Sequence, residues 1–239
     1  MRRGADFLVE RVLHRDGLIL VINKPAGIVV HRNPRRGAPA EESLEDYFDA
    51  LRFGLPRAPA LAHRLDRDTT GCLILGRHRK ALKKLGKLFQ QNRIEKTYWA
   101  ICRGIPAAHT GTIDAPLKKH NDPSGWRMVI APDGQRAATV YRVVAAKDGL
   151  SFVEAMPQTG RTHQIRVHLA EIGAPIIGDP QYGDLTSEDR ARPMMLHARR
   201  LVVPISKTGA PVIVEAPPPE PLKRLLDGMI ADPELSPSR

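Results

Sequence analysis

Short apolar runs, each closed by turn residues, recur along this chain and restrict its fold more than any other property. Gly17–Ile22 (GLILVI) reads as a strand that stops at Asn23-Lys24-Pro25-Ala26-Gly27, where Pro and Gly stand as a turn requires. Ile28-Val29-Val30 continues extended into a basic loop, His31 to Arg36. Cys72-Leu73-Ile74-Leu75-Gly76 reads as a buried strand, and Glu95–Arg103 as a strand with Tyr98 and Trp99 on opposite faces. Thr139–Ala145 and Ser151–Met156 flank a Lys147-Asp148-Gly149 turn, and Leu196–Val203 and Val212–Glu215 follow. Strands outnumber helices and are mostly joined by turns. The expected fold is therefore α/β (α+β): a single domain around a large mixed, mainly antiparallel sheet with flanking helices. That domain is expected over residues 17–215, after an N-terminal extension (1–16) and before a Pro-rich spacer, C-terminal helix and frayed tail (216–239).

Helical spacing is rarer. Glu41–Phe53 carries Leu44, Tyr47, Phe48 and Leu51 on one side, with its acids early, where the helix dipole favours them. His78–Asn92 turns Leu82, Leu85, Leu88 and Phe89 inward and Arg79, Lys80, Lys83, Lys84 and Lys87 outward. Thr159–Gly173 reads as a turn entering a helix with Ile165, Leu169 and Ile172 on its apolar stripe and Gly173 as the C-cap. Ile176–Gly183 is turn-rich, and Pro221–Ile230 is a last amphipathic helix. Lys118–Arg136 reads as a loop or irregular hairpin, with Trp126 exposed among Lys118, Lys119, His120, Arg127 and Arg136.

The charge balance points to a partner. Against 26 acids stand 37 Lys and Arg, giving +11 and a pI near 10.0, which favours a polyanion, nucleic acid before acidic membrane. The two cysteines, Cys72 and Cys102, lie in apolar strand settings and form no C-x-x-C pair, as expected of reduced buried thiols. The stretch Phe7–Leu13 is broken by Glu10 and Arg11, so neither a signal peptide nor a membrane span is expected; the cytoplasm is the expected compartment and a monomer the expected state.

The stretch that concentrates chemistry is HRLDRDTTG, His63–Gly71. Asp66 lies between Arg64 and Arg67, and neighbouring cations favour the ionised carboxylate. A loop that presents an acid among cations, with a strand behind it, suits work on an anionic substrate. One-sided basicity on a helix is ordinarily a solvated face, but His78–Asn92 follows directly on this loop, so Lys80, Lys83 and Lys84 are read as nucleic-acid backbone contacts. Trp126 among its cations could stack on a base or pin the hairpin to the core. His63, His163 and His168 lack H-E-x-x-H spacing, so no metal is expected, and they read as structural histidines. Asp179 reads as a turn former, and Gly71 and Gly160 as glycines that serve backbone geometry.

Taken as an ordered set, NKPAG (23–27), HRLDRDTTG (63–71), EKTYWA (95–100), GRTHQIRVH (160–168), IIGDPQYG (176–183) and LHARRL (196–201) resemble the RluA-type pseudouridine synthases, the ribosomal large-subunit type. The resemblance implies the pseudouridine synthase fold and isomerisation of a flipped-out uridine in rRNA or tRNA, without metal or organic cofactor. It makes Asp66 the catalytic carboxylate, attacking C1′ or removing a proton from C2′. Tyr98 would stack on the uracil near the departing C5 proton, and Arg166 would orient Asp66 through an ion pair. Arg64 would fill the gap left by the flipped base, a task suited to a planar guanidinium. Arg161, His63 and Thr69 complete the candidate substrate contacts. The sequence departs from the family in Thr69-Thr70-Gly71, where T-S-G is usual, and in Val202–Ala210, which lacks the usual Phe and His-Pro. No separate RNA-binding module precedes residue 17, so the catalytic domain itself is expected to recognise RNA.

Two other readings compete. Asp66-Arg67-Asp68-Thr69-Thr70 also fits the D-x-D-x-T loop of haloacid-dehalogenase-like phosphohydrolases, which ends an apolar parallel strand; here Leu61–Leu65 is broken by two basic residues. A non-catalytic RNA-binding protein is the other, and the presence of every expected catalytic residue speaks against it.

Overall fold

The computed structural model describes residues 4–31, 41–123, 125–206 and 208–230. The basic loop expected to run on to Arg36 and the tail from Asp232 fall outside them. In chain order the strands and helices are β1 (Val12–Arg15), β2 (Ile19–Lys24), β3 (Ala60–Leu61), β4 (Thr70–Gly76), α1 (Arg79–Gln90), β5 (Glu95–Arg103), β6 (Thr110–Asp114), β7 (Leu117–Asp122), β8 (Gly125–Ile130), β9 (Ala138–Lys147), β10 (Leu150–Pro157), α2 (Gln164–Glu171), α3 (Ser187–Ala191), β11 (Leu196–Val203), β12 (Val212–Glu215) and α4 (Glu220–Ile230). None of the helices among the described residues is long and apolar enough to cross a membrane.

The backbone gathers into two compact units, Met1–Glu95 with Ala198–Pro217, and Lys96–His197 with Pro218–Arg239. In the first unit the strand order is β1-β2-β4-β11, with β3 on β4 and β12 on β11. β2 and β4 pair antiparallel from Ile19↔Gly76 to Lys24↔Gly71. Every residue of β4 is buried, which is why its sequence runs apolar without alternation. The stretch expected as an N-terminal extension belongs to this unit: Ala5–Arg11 forms a 3-10 helix, and β1 pairs with β2. Leu44, Tyr47, Phe48 and Leu51 are buried as expected, but Leu44–Leu51 is a 3-10 helix and not an α-helix. Its apolar spacing satisfies both periods, and Asp46 closes its start by accepting the Ser43 N–H.

The second unit orders its strands β5-β10-β9-β6, all antiparallel, with β7 and β8 as a separate two-stranded hairpin. β9 and β10 close on Asp148 and Gly149, both at positive φ (51° and 72°), the conformation a two-residue hairpin turn requires. Trp126, expected to be exposed, is half-buried, because its ring stacks on His163 with centroids 5.1 Å apart. In α2 the expected stripe is absent. All of Gln164–Leu169 is buried, polar residues included, and Ile172 lies beyond the helix. Gly173 does take positive φ (74°) at the helix end.

Candidate active site

In the first unit the acid-bearing loop joins β3 to β4, and Lys24 holds it from beneath. Lys24 ends β2 wholly buried, and its Nζ donates to the carbonyls of Pro25 (2.8 Å), Arg67 (2.6 Å) and Thr69 (3.1 Å). Three donors thus meet three acceptors, two of them within the loop. Leu65 is buried while Arg64 is exposed and Asp66 half-buried, so the loop anchors one side chain and offers its neighbours. His63 accepts the Ile74 N–H through Nε2 at 3.0 Å, and its ring lies 4.9 Å from that of Phe89 on α1. Thr69 is buried. Gly71 closes the loop at φ +104°, where a Cβ would stand 2.3 Å from the Ala198 carbonyl oxygen. Gly160 has no such need: its φ is ordinary and a Cβ there would meet nothing within 4 Å, which corrects the expectation that it serves backbone geometry.

α1 follows at once. His78 caps it by accepting the Ala81 N–H through Nδ1 at 3.2 Å. The helix contains no acid; Lys80 and Lys83 are exposed and Lys84 half-buried. The acid therefore follows a two-residue antiparallel strand, unlike the parallel strand end of a D-x-D-x-T phosphohydrolase loop.

In the second unit the candidates are Tyr98, Arg161 and Arg166. Tyr98 is buried on β5, opposite Ala155 of β10. Lys96, two residues earlier on the same face, donates to the Thr159 carbonyl at 3.3 Å, and burial pulls its pKa down. Arg166, buried on α2, is gripped by Asp179: Nε to Oδ2 at 2.7 Å and Nη2 to Oδ1 at 2.8 Å. Asp179 is the turn former the sequence suggested, since Oδ1 accepts the N–H groups of Gln181 (2.8 Å) and Tyr182 (3.1 Å), but it also fixes this guanidinium. Arg161, exposed, donates Nε to the Arg136 carbonyl (3.1 Å) and Nη1 to Gln135 (3.0 Å).

The start of α2 is wired through buried polar groups. Gln164 Oε1 accepts from the Thr159 hydroxyl (2.7 Å) and the Arg161 N–H (3.0 Å), while its Nε2 donates to Ala138 O (2.9 Å) and Thr139 Oγ1 (3.0 Å). Thr139 Oγ1 donates its own hydrogen bond to His168 Nδ1 at 2.9 Å, and His168 Nε2 donates to Ala115 O at 3.0 Å. His63, His163 and His168 thus all have structural partners, and no group of three or more His, Cys, Asp or Glu among the described residues could hold a metal ion. Lys24, Gln164 and Tyr182 went unsingled in the sequence, although each lies inside a quoted motif.

The sequence model of the RNA pseudouridylate synthase family matches residues 18–171. The chain belongs to that family. This pseudouridine synthase is 45% identical over 216 residues to an uncharacterized RNA pseudouridine synthase of Zymomonas mobilis, covering 89% of this chain and 95% of that one. It is 35% identical over 228 residues to ribosomal large subunit pseudouridine synthase C of Salmonella typhi, covering 92% and 70% of the two chains. The solved human RNA pseudouridylate synthase domain containing 4 superposes with a TM-score of 0.77 at 28% identity, covering 93% of this chain and 94% of that one. The fold is that of the pseudouridine synthases, mixed α/β, and the RluA-type resemblance is borne out. The enzyme is an isomerase acting on RNA.

Proposed function

We propose that this enzyme isomerises a flipped-out uridine of ribosomal RNA to pseudouridine, with Asp66 as the catalytic carboxylate. The observation that carries the assignment is the buried Lys24, which fixes the backbone on the C-terminal side of Asp66 through the Arg67 and Thr69 carbonyls. A loop held this firmly presents a half-exposed acid at a set position, which is how a rigid frame lowers the cost of bringing reactants together. An ionised acid serves attack at C1′ and proton removal at C2′ alike. Tyr98 stacks on the uracil, Arg166 is the cation that serves the acid, and Arg64 takes the place of the extruded base. Arg161, His63 and Thr69 border the substrate, and Lys80, Lys83 and Lys84 meet the phosphate backbone. The catalytic fold extends beyond the expected residues 17–215, since β1 pairs with β2 and Lys147 donates to the Gly228 carbonyl of α4, and the enzyme works in the cytoplasm.

The choice of ribosomal over transfer RNA is supported by the name of the Salmonella typhi relative. Asp66→Asn should abolish pseudouridine formation while leaving RNA binding within a factor of a few. Retained turnover would remove Asp66 from the reaction. Mapping pseudouridines in cells with and without the gene identifies the RNA; a site lost only from transfer RNA would overturn the ribosomal assignment.

A further inference from the structure

The β7–β8 hairpin has one free side and one fastened side. His120 and Arg127, paired across the two strands, are exposed on the free side, and Lys119, paired with Met128, is exposed on the fastened side beside Trp126. Beneath Lys119, whose Nζ lies 5.0 Å from the ring centroid of Trp126, that ring stacks on His163 at 5.1 Å and 21°. His163 is held at φ +52°, and its Nδ1 lies 2.7 Å from the Tyr182 hydroxyl, which also accepts the Met128 N–H at 2.9 Å. Gln181 Nε2 donates to the Trp126 carbonyl at 3.2 Å. Two side chains of the GDPQYG turn thus grip consecutive parts of β8.

Those same two side chains reach Arg166. Its guanidinium carbon lies 4.9 Å from the centroid of the Tyr182 ring, and Nη2 comes within 3.5 Å of Gln181 Oε1. Asp179 restrains one edge of the guanidinium, Tyr182 its face and Gln181 a further corner. A displacement of β8 must shift Tyr182, Gln181 or both, and either shift changes where the cation points. Packed side chains with hydrogen bonds at both ends carry such displacements better than a flexible loop does.

We propose that the β7–β8 hairpin contacts RNA through Lys119 and Arg127, and that Gln181 and Tyr182 are positioning residues that pass the hairpin's placement on to Arg166. The inference rests on Arg166 serving the reaction. RNA is the partner because the exposed Lys119 and Arg127 put a cation on each side of the ribbon and the enzyme's substrate is a polyanion. Binding and chemistry are thereby linked: RNA seated on the hairpin sets the guanidinium for the acid.

The test uses the full-length enzyme and a large-subunit ribosomal RNA transcript, with binding and saturating single-turnover rate measured separately. In the native background, Lys119→Ala with Arg127→Ala should weaken binding and also lower the rate by roughly 2- to 30-fold. With Tyr182→Phe and Gln181→Ala already present, the same pair should weaken binding equally and leave the rate unchanged. An equal fractional loss of rate in both backgrounds would overturn the coupling, and unchanged binding would overturn the RNA contact. Tyr182→Phe alone, which keeps the ring and loses only the hydroxyl, replaces the double background if that fails to fold. Arg166→Lys is measured beside them: an unaltered rate there overturns the role of Arg166 itself, a failure distinct from that of the hairpin coupling.

Discussion

Arg166 meets Asp179 edge to edge, Nε to Oδ2 at 2.7 Å and Nη2 to Oδ1 at 2.8 Å, with both side chains almost wholly out of solvent. Such a pair adds little net stability but fixes a plane. Asp179→Asn takes one carboxylate from the buried guanidinium of Arg166, and thermal or denaturant unfolding should report a loss of up to about 3–5 kcal/mol. The single-turnover rate at saturating RNA should fall further than the affinity. Equal native stability in the variant would show that the pair is replaceable.

Lys24→Met keeps the apolar stem of the side chain and removes its three donors. The carbonyls of Pro25, Arg67 and Thr69 then lose their partner. With each stranded acceptor costing roughly 1–3 kcal/mol, the loss should reach about 3 kcal/mol or more. Because two of those carbonyls follow Asp66 directly, kcat should drop in protein that remains folded. Hydrogen exchange at residues 66–70 is the companion measurement, and faster exchange confined to that segment is the expected result.

Two glycines give a paired prediction. At Gly71 a methyl group would stand 2.3 Å from the Ala198 carbonyl at a φ of +104°, so Gly71→Ala should cost at least about 3 kcal/mol through strain and overpacking. At Gly160 a methyl group meets nothing within 4 Å, and Gly160→Ala should leave the melting temperature unchanged or slightly raised.

Acid sensitivity should begin at His168. Burial holds its pKa below the ordinary 6.5, and both ring nitrogens are committed in the neutral form, Nε2 to Ala115 and Nδ1 to Thr139. The unfolded chain takes up the proton first as pH falls, so this contribution is complete above the unfolded value and declines as pH drops from there towards the folded one. Equilibrium unfolding at pH 7.5 and pH 5.5 should show the decline, about 1 kcal/mol for each unit of difference between the two pKa values. His168→Gln should flatten it. Asp189, held below the ordinary carboxylate range by the Arg103 hydrogen bond, acts in the same direction only in stronger acid.

On α1, replacing Lys80, Lys83 and Lys84 together with Ala should weaken RNA binding and reduce its log–log salt slope by roughly 0.7–0.9 for each phosphate no longer neutralised. An unchanged slope would mark this helix face as merely solvated.

The elements legible in the sequence are strand-forming runs stopped by Gly or Pro, as β5 is by Gly104, β11 by Pro204 and β12 by Ala216-Pro217. The bounds read for Glu95–Arg103, Leu196–Val203 and Val212–Glu215 are those observed for β5, β11 and β12, since apolar runs between turns leave little choice. Pieces stabilised mainly by tertiary contact left no such mark. β1 is a half-exposed strand that exists because β2 is beside it, and α3 is a short polar helix whose Asp189 is bound by Arg103. In α2, buried Gln164 and His168 break any amphipathic pattern, and their cost is offset by partners far along the chain. The candidate residues show the same dependence on distance. Asp66 among its cations reads as a self-paired surface turn until GRTHQIR, about a hundred positions on, is set beside it, and the part played by Lys24 depends on carbonyls more than forty positions away.

The two native thiols have a practical consequence. Cys72 is buried, its pKa pushed up to about 12 by desolvation, and Cys102 is wholly enclosed with its own raised further. Neither offers a thiolate to an alkylating reagent near neutral pH, because the nucleophile is the anion. A cysteine introduced at Lys119 or Lys83 would therefore take up a maleimide dye essentially alone. The unmodified background is ready for fluorescence or spin-label readout of how RNA settles on the protein.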